Sequence, residues 1–154
     1  MVADRAVVVV VDDDPGIARL LEEVLQVQFD VHAVTSPREA LNLVDGNDVA
    51  VLLADLHMPE MGGVELLTEA RHRRPNLVGV LITAHADVES AIRAINAAHV
   101  LGFLTKPWDE DELFSVMNRA VDAHRALRQL LRASAATERP SQPGDEQHRA
   151  EPSC

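Results

Sequence analysis

Apolar residues in this chain follow two rhythms. VVVVV (7–11), VAVLLAD (49–55) and LVGVLIT (77–83) are near-continuous apolar runs, too short for typical helices. Such runs suit strands buried on both faces of a parallel sheet. DVHAVT (30–35) and GFLTKP (102–107) read as two further short strands. Between the runs, apolar residues recur at helical spacing. Ile17, Leu20, Leu21, Val24 and Leu25 predict one helix; 64–74 and 87–100 predict two more. Leu113, Val116, Ala120, Ala123, Leu127 and Leu130 alternate steps of three and four, so a last helix opens near Asp109 and runs through Leu131.

The junctions agree with this reading. Asp14-Pro15 is an N-cap followed by proline in the first helical turn. Ser36-Pro37-Arg38-Glu39 is a capping box with proline at the first helical position, and its helix runs to about Asp45-Gly46. The 64–74 helix stops before Pro75. Five strand–helix alternations predict an α/β fold, a parallel sheet with helices on both faces. From about Ser134 the pattern stops, and residues rich in Pro, Ser, Gln and charge have little to bury. A disordered tail is expected over 134–154.

Composition narrows the function. The chain has 154 residues, which suits one domain. Hydrophobic residues make up 47% and aromatics only 3%, so Val, Leu, Ile and Ala build the core. A formal net charge of -11 argues against direct nucleic-acid binding and favours handling cations or docking on basic partners. The lone Cys154 excludes a disulfide framework and fits a reducing cytoplasm. No stretch approaches a membrane span. Of 14 basic residues only Lys106 is a lysine.

Ligands of parallel α/β sheets bind beyond the C-terminal strand ends. The first strand ends in Asp12, Asp13 and Asp14, the third in Asp55, the fourth in Thr83 and the fifth in Lys106. Clustered carboxylates call for a hard cation such as Mg²⁺, with Mn²⁺ as a substitute. One carboxylate can act as nucleophile toward a phosphoryl group, while the hydroxyl and the ammonium contact its oxygens. Asp14 is better read as the helix cap than as a metal ligand. A lone compact ammonium in an arginine-rich chain suggests a geometric demand at Lys106.

VVDDDP, LLADLHMPEMGG, LIT followed by Ala, and FLTKP, in this order and spacing, resemble the receiver domain of bacterial two-component response regulators. The likeness covers residues 6 to about 125. It implies a flavodoxin-like doubly wound (βα)5 sandwich with strand order 2-1-3-4-5. The organisation is then a receiver over 1–125, an extension of the last helix over 126–133 acting as linker or dimer seam, and the tail over 134–154.

The resemblance implies roles residue by residue. Asp55 matches the phosphoacceptor. Asp12, Asp13, Asp55 and the carbonyl of His57 match the Mg²⁺ ligands, with Asp13 favoured over Asp12 as the direct ligand. Thr83, the amide of Ala84 and Lys106 match the phosphoryl-binding groups. Thr83 and Phe103 match the switch pair, and His57 and His85 sit where the family tunes hydrolysis. The Lys106-Pro107 bond is often cis in the family.

The implied partners are a sensor histidine kinase or histidine phosphotransfer protein, and an effector, an output domain or a second copy. Contact would be through the face built by the 87–100 helix, the fifth strand and the last helix. The family is not enzymatic beyond its own phosphoryl transfer and autodephosphorylation. FLTKPWDEDEL is similar to receivers of NtrC-type transcription activators and HD-GYP phosphodiesterases.

Blander and rival readings stand beside these. Phe103 alone is more often core than switch, and only its matching position favours the switch role. His57 and His85 are as readily solvated loop residues. Arg125, Arg128 and Arg132 most simply complement the dipole at the helix C-terminus. Trp108 reads as packing near the site. A haloacid-dehalogenase-like phosphatase would use Asp12 as nucleophile and Asp14 as acid, but would leave Asp55 idle and needs a further acidic strand after Lys106. A receiver-like docking module that works unphosphorylated would be marked by a missing acidic pair, Asp55 or Lys106, and none is missing.

Overall fold

A computed structural model of the chain describes residues 5–84, 89, 92, 93, 96 and 99–141. Strand β1 (Val7–Val11) leads to helix α1 (Pro15–Leu25), β2 (Asp30–Val34), α2 (Pro37–Gly46), β3 (Val49–Asp55), α3 (Gly63–Arg73) and β4 (Val78–Ala84). Then β5 (Gly102–Lys106) and a long helix, here α4 (Glu110–Ser141), follow among the described residues. Of the helix expected over 87–100, Glu89, Ile92, Arg93 and Asn96 are helical, and most of the rest lies outside the described residues.

All strand pairs are parallel and the order is β2-β1-β3-β4-β5, the predicted doubly wound topology. The continuous apolar runs have a simple cause. Successive side chains point to opposite faces. Val9, Val11, Leu52, Ala54 and Leu81 pack on one face with Leu41, Leu66 and Leu67 of α2 and α3. Val8, Val10, Val51, Leu53 and Ile82 pack on the other with Leu21, Leu25, Leu113 and Met117 of α1 and α4. Both faces are dry, so alternation has no place in the central strands.

The caps behave as their chemistry requires. Asp14 has extended backbone and its carboxylate accepts from the Gly16 amide at 2.9 Å, with Pro15 opening α1. Ser36 Oγ accepts from the Arg38 and Glu39 amides at 3.1 and 3.4 Å, which is the serine half of the expected box.

One expectation is refined and one corrected. Leu20 is on the helical pattern but 46% exposed, because the buried stripe of α1 runs through Ala18, Leu21 and Leu25 instead. The last helix does not stop at Leu131; it continues to Ser141, through part of the segment expected as tail. Ala133, Ala135 and Ala136 are strong helix formers, so the helix outlasts its apolar face. Residues 142–154 lie outside the described residues.

Candidate functional site

The strand ends converge as the alternation implies. Asp12 follows β1, Asp55 ends β3, and β4 and β5 are in register with Thr83 beside Thr105 and Ala84 beside Lys106. Carboxylate oxygens of Asp12, Asp13 and Asp55 all lie within 4.8 Å of one another. Lys106 Nζ donates to Asp12 Oδ2 at 2.8 Å and to Asp55 Oδ2 at 3.3 Å.

The three aspartates are not equivalent. Asp12 is fully buried; Oδ2 takes the ammonium and Oδ1 accepts the Asp14 amide at 2.9 Å. Asp13 is exposed at the rim and makes no hydrogen bond among the described residues. Asp12 is therefore anchored by the protein, and Asp13 has its oxygens available. Asp14 faces away into its cap. The triplet thus comprises an anchored carboxylate, an open one and a helix cap.

Asp55 is buried at the centre. Burial pushes its carboxyl above the ordinary carboxylate range; the Lys106 ammonium pulls the other way, and the Asp12 charge adds to the rise. The His57 amide reaches Asp55 Oδ1 at 3.4 Å. Burial alone would lower Lys106. The Asp12 hydrogen bond and the charges of Asp55 and Asp12 outweigh it, so Lys106 stays above its usual range. The group is an ammonium held between two carboxylates, one of them strained by burial.

The donor set fits a hard divalent cation. Three carboxylates close together, with one side open to solvent at Asp13, supply oxygen ligands of the kind Mg²⁺ takes. Further residues surround the cluster. Thr83 is fully buried, and its hydroxyl donates to the Ala84 carbonyl at 3.4 Å. Phe103 is half-buried against the core beside Leu81, its register partner. The Lys106-Pro107 bond is cis. Trp108 packs on the apolar cluster of the α1–α4 face. His57 is exposed, and His85 lies outside the described residues.

One positioning residue escaped sequence reasoning. A Cβ on Gly63 would sit 2.5 Å from the Asp55 carbonyl and 2.8 Å from Leu81 Cδ2. Gly63 therefore lets α3 start against the end of β3 and hold the loop around Asp55. The Gly62-Gly63 pair was the available signal. Glu65 supports the same turn by accepting the Gly62 amide at 3.4 Å.

Residues 8–118 match the family described as response regulator receiver domain. The chain belongs to the response regulator receiver domain family. Among curated relatives, the hydrogenase transcriptional regulatory protein HoxA of Cupriavidus necator is 37% identical over 119 residues, 77% of this chain and 25% of that protein. The DNA-binding transcriptional regulator NtrC of Escherichia coli is 32% identical over 126 residues, 81% of this chain and 27% of that protein. The receiver thus spans about a quarter of the length of these relatives.

Solved structures agree on the fold. The signal receiver domain of an HD domain-containing protein from Pseudomonas fluorescens is 26% identical with a TM-score of 0.75, over 81% of this chain and 93% of that one. NtrX from Brucella abortus, in complex with ADP, is 26% identical with a TM-score of 0.76, over 82% of this chain and 29% of that one. The family match supports the receiver reading and lends nothing to the phosphatase or docking-module alternatives.

Proposed function

We propose that Asp55 is the phosphoacceptor of this receiver and takes a phosphoryl group from the phosphohistidine of a sensor kinase or phosphotransfer protein. The observation that carries the reading is one cluster. Asp12, Asp13 and Asp55 lie within 4.8 Å, with Lys106 bridging Asp12 and Asp55. Asp12, Asp13, Asp55 and the His57 carbonyl would hold Mg²⁺. When bound, the cation neutralises the carboxylates and the incoming phosphoryl charge.

The chain's own residues do the rest. Asp55 Oδ is the nucleophile, and Lys106 gives up its hold on Asp55 to contact a phosphoryl oxygen while keeping Asp12. Thr83 breaks a long 3.4 Å bond to the Ala84 carbonyl, which costs little, and turns its hydroxyl to the phosphoryl group. The Ala84 amide donates alongside it. Phe103 then moves inward, a shift between two populated states. The relatives are transcriptional regulators several times longer than this chain, which supports an output in transcription regulation, carried by a segment or partner beyond the receiver. Dephosphorylation is self-catalysed, with His57 and His85 tuning its rate. The protein acts in the cytoplasm.

Acetyl phosphate with Mg²⁺ tests the reading. Intact-mass spectrometry should show one phosphoryl adduct in the native chain and none in Asp55→Asn. An adduct on Asp12, located by borohydride trapping, would refute it.

A further inference from the structure

A second polar cluster lies at the opposite edge of the sheet. A cleft of about 490 Å³ opens where β1 and β3 begin and α4 crosses them. Arg5, Arg125 and Arg128 line it, with His124, Asp48 and Ala50. The five residues of β1 separate this edge from Asp12, about 16 Å of strand.

The charge balance of the cleft is unlike that of the molecule. Among the described lining residues three arginines stand with one aspartate, in a chain of formal net charge -11. Among the described residues, only Arg128 of the three has an anionic partner. Arg128 reaches Asp48 at 3.4 Å, with both side chains substantially exposed, so solvent screens the pair. Arg5 donates to the Val27 carbonyl. Arg125 has no hydrogen bond or ion pair among the described residues. His124 is 3% exposed, with Nδ1 2.8 Å from the Asn76 carbonyl oxygen. A carbonyl only accepts, so that nitrogen carries the proton and the ring is fixed as a wall.

We propose that this cleft binds a small multivalent oxyanion of the phosphate class. Guanidinium forks match phosphate oxygens two at a time. Like charges lining a concave surface focus a positive potential that an anion relieves. The volume lies within the usual range for small-ligand pockets, roughly 300–1,000 Å³. A bound anion would tie the start of β1 to α4, which leaves the cleft and continues to Ser141. The site is separate from the Asp55 cluster and does not depend on its role.

The test titrates the full chain with pyrophosphate in Mg²⁺-free, low-salt buffer, read by thermal unfolding and by amide chemical shifts. Saturable binding is expected, with a raised Tm and shifts centred on residues 5–7, 48–50 and 124–128. Arg125→Gln, which has no native pair to lose, should weaken binding about tenfold. Adding Arg128→Gln should weaken it further. Circular dichroism and Trp108 emission matching those of the native chain certify the fold of both variants. Absence of saturation, shifts centred on Lys106, or equal affinity in the double variant would overturn the proposal.

Discussion

Replacing Lys106 with methionine isolates the electrostatics of the acidic cluster. Methionine keeps an unbranched chain of similar length and removes only the charge and its two hydrogen bonds. Asp12 and Asp55 are then left within 4.8 Å with no cation between them. Two unit charges at that separation repel by about 3.5 kcal/mol at an effective dielectric constant of 20. Removing one partner of a buried pair costs a comparable amount, about 3–5 kcal/mol. The lower figure applies, because one carboxyl can escape by taking up a proton. The expected loss is therefore about 3 kcal/mol in EDTA at neutral pH, a large share of a domain's stability.

The sign with pH follows from the same cluster. The folded pKa of Asp55 already lies above its unfolded value, so its contribution is fully present below the unfolded pKa and is lost as pH rises through the folded one. Without Lys106 that folded pKa rises further. The gap between variant and native protein should thus narrow on acidification and widen toward neutrality. Urea unfolding, followed by Trp108 fluorescence and circular dichroism, measures both. With an m-value of about 2 kcal/mol/M, the midpoint should fall by roughly 1.5 M. Saturating Mg²⁺ should recover much of the loss. A deficit below about 1 kcal/mol in EDTA, or one that does not change with pH, would refute the reasoning.

Other outcomes follow from the same geometry. Gly63→Val should destabilise the domain by about 3 kcal/mol or more and lower its Mg²⁺ affinity, since a side chain must displace the Asp55 backbone; denaturation and cation titration check both. Asp14→Ala should cost about 1 kcal/mol through the lost α1 cap, yet leave Mg²⁺ affinity within about twofold, whereas Asp13→Ala should nearly abolish binding. Mg²⁺ affinity should fall on acidification starting above the usual carboxylate range, because Asp55 is protonated there. Titrations monitored by Trp108 at several pH values would show the onset. Lys106 is held above its usual range. Its contribution to stability is present below the unfolded pKa and should be lost only in strong alkali as pH rises through the folded pKa.

The amino-acid order alone settled a good deal. Two-faced burial demands unbroken apolar strands, so Val7–Val11 and 49–55 announced a parallel sheet before any contact was known. Parallel strands put their C-terminal ends on one edge, so Asp12, Asp13, Asp55, Thr83 and Lys106 had to gather there. Capping chemistry is local, so Asp14 and Ser36 declared their roles directly.

What depends on distance between segments was left to the tertiary structure. Only the assembled edge shows that Asp12 is sequestered by Lys106 and the Asp14 amide while Asp13 stays open. The demand on Gly63 comes from the Asp55 carbonyl lying against it, a contact with no periodicity to read. Leu20 kept the helical spacing and still faces solvent, because the packing of α1 on the sheet, not spacing, chooses the buried stripe. The basic cleft was equally hidden. Arg5 lies at least 120 residues before Arg125 and Arg128 in sequence, and the pair on the last helix reads as complementing its dipole until the sheet brings the start of β1 under α4.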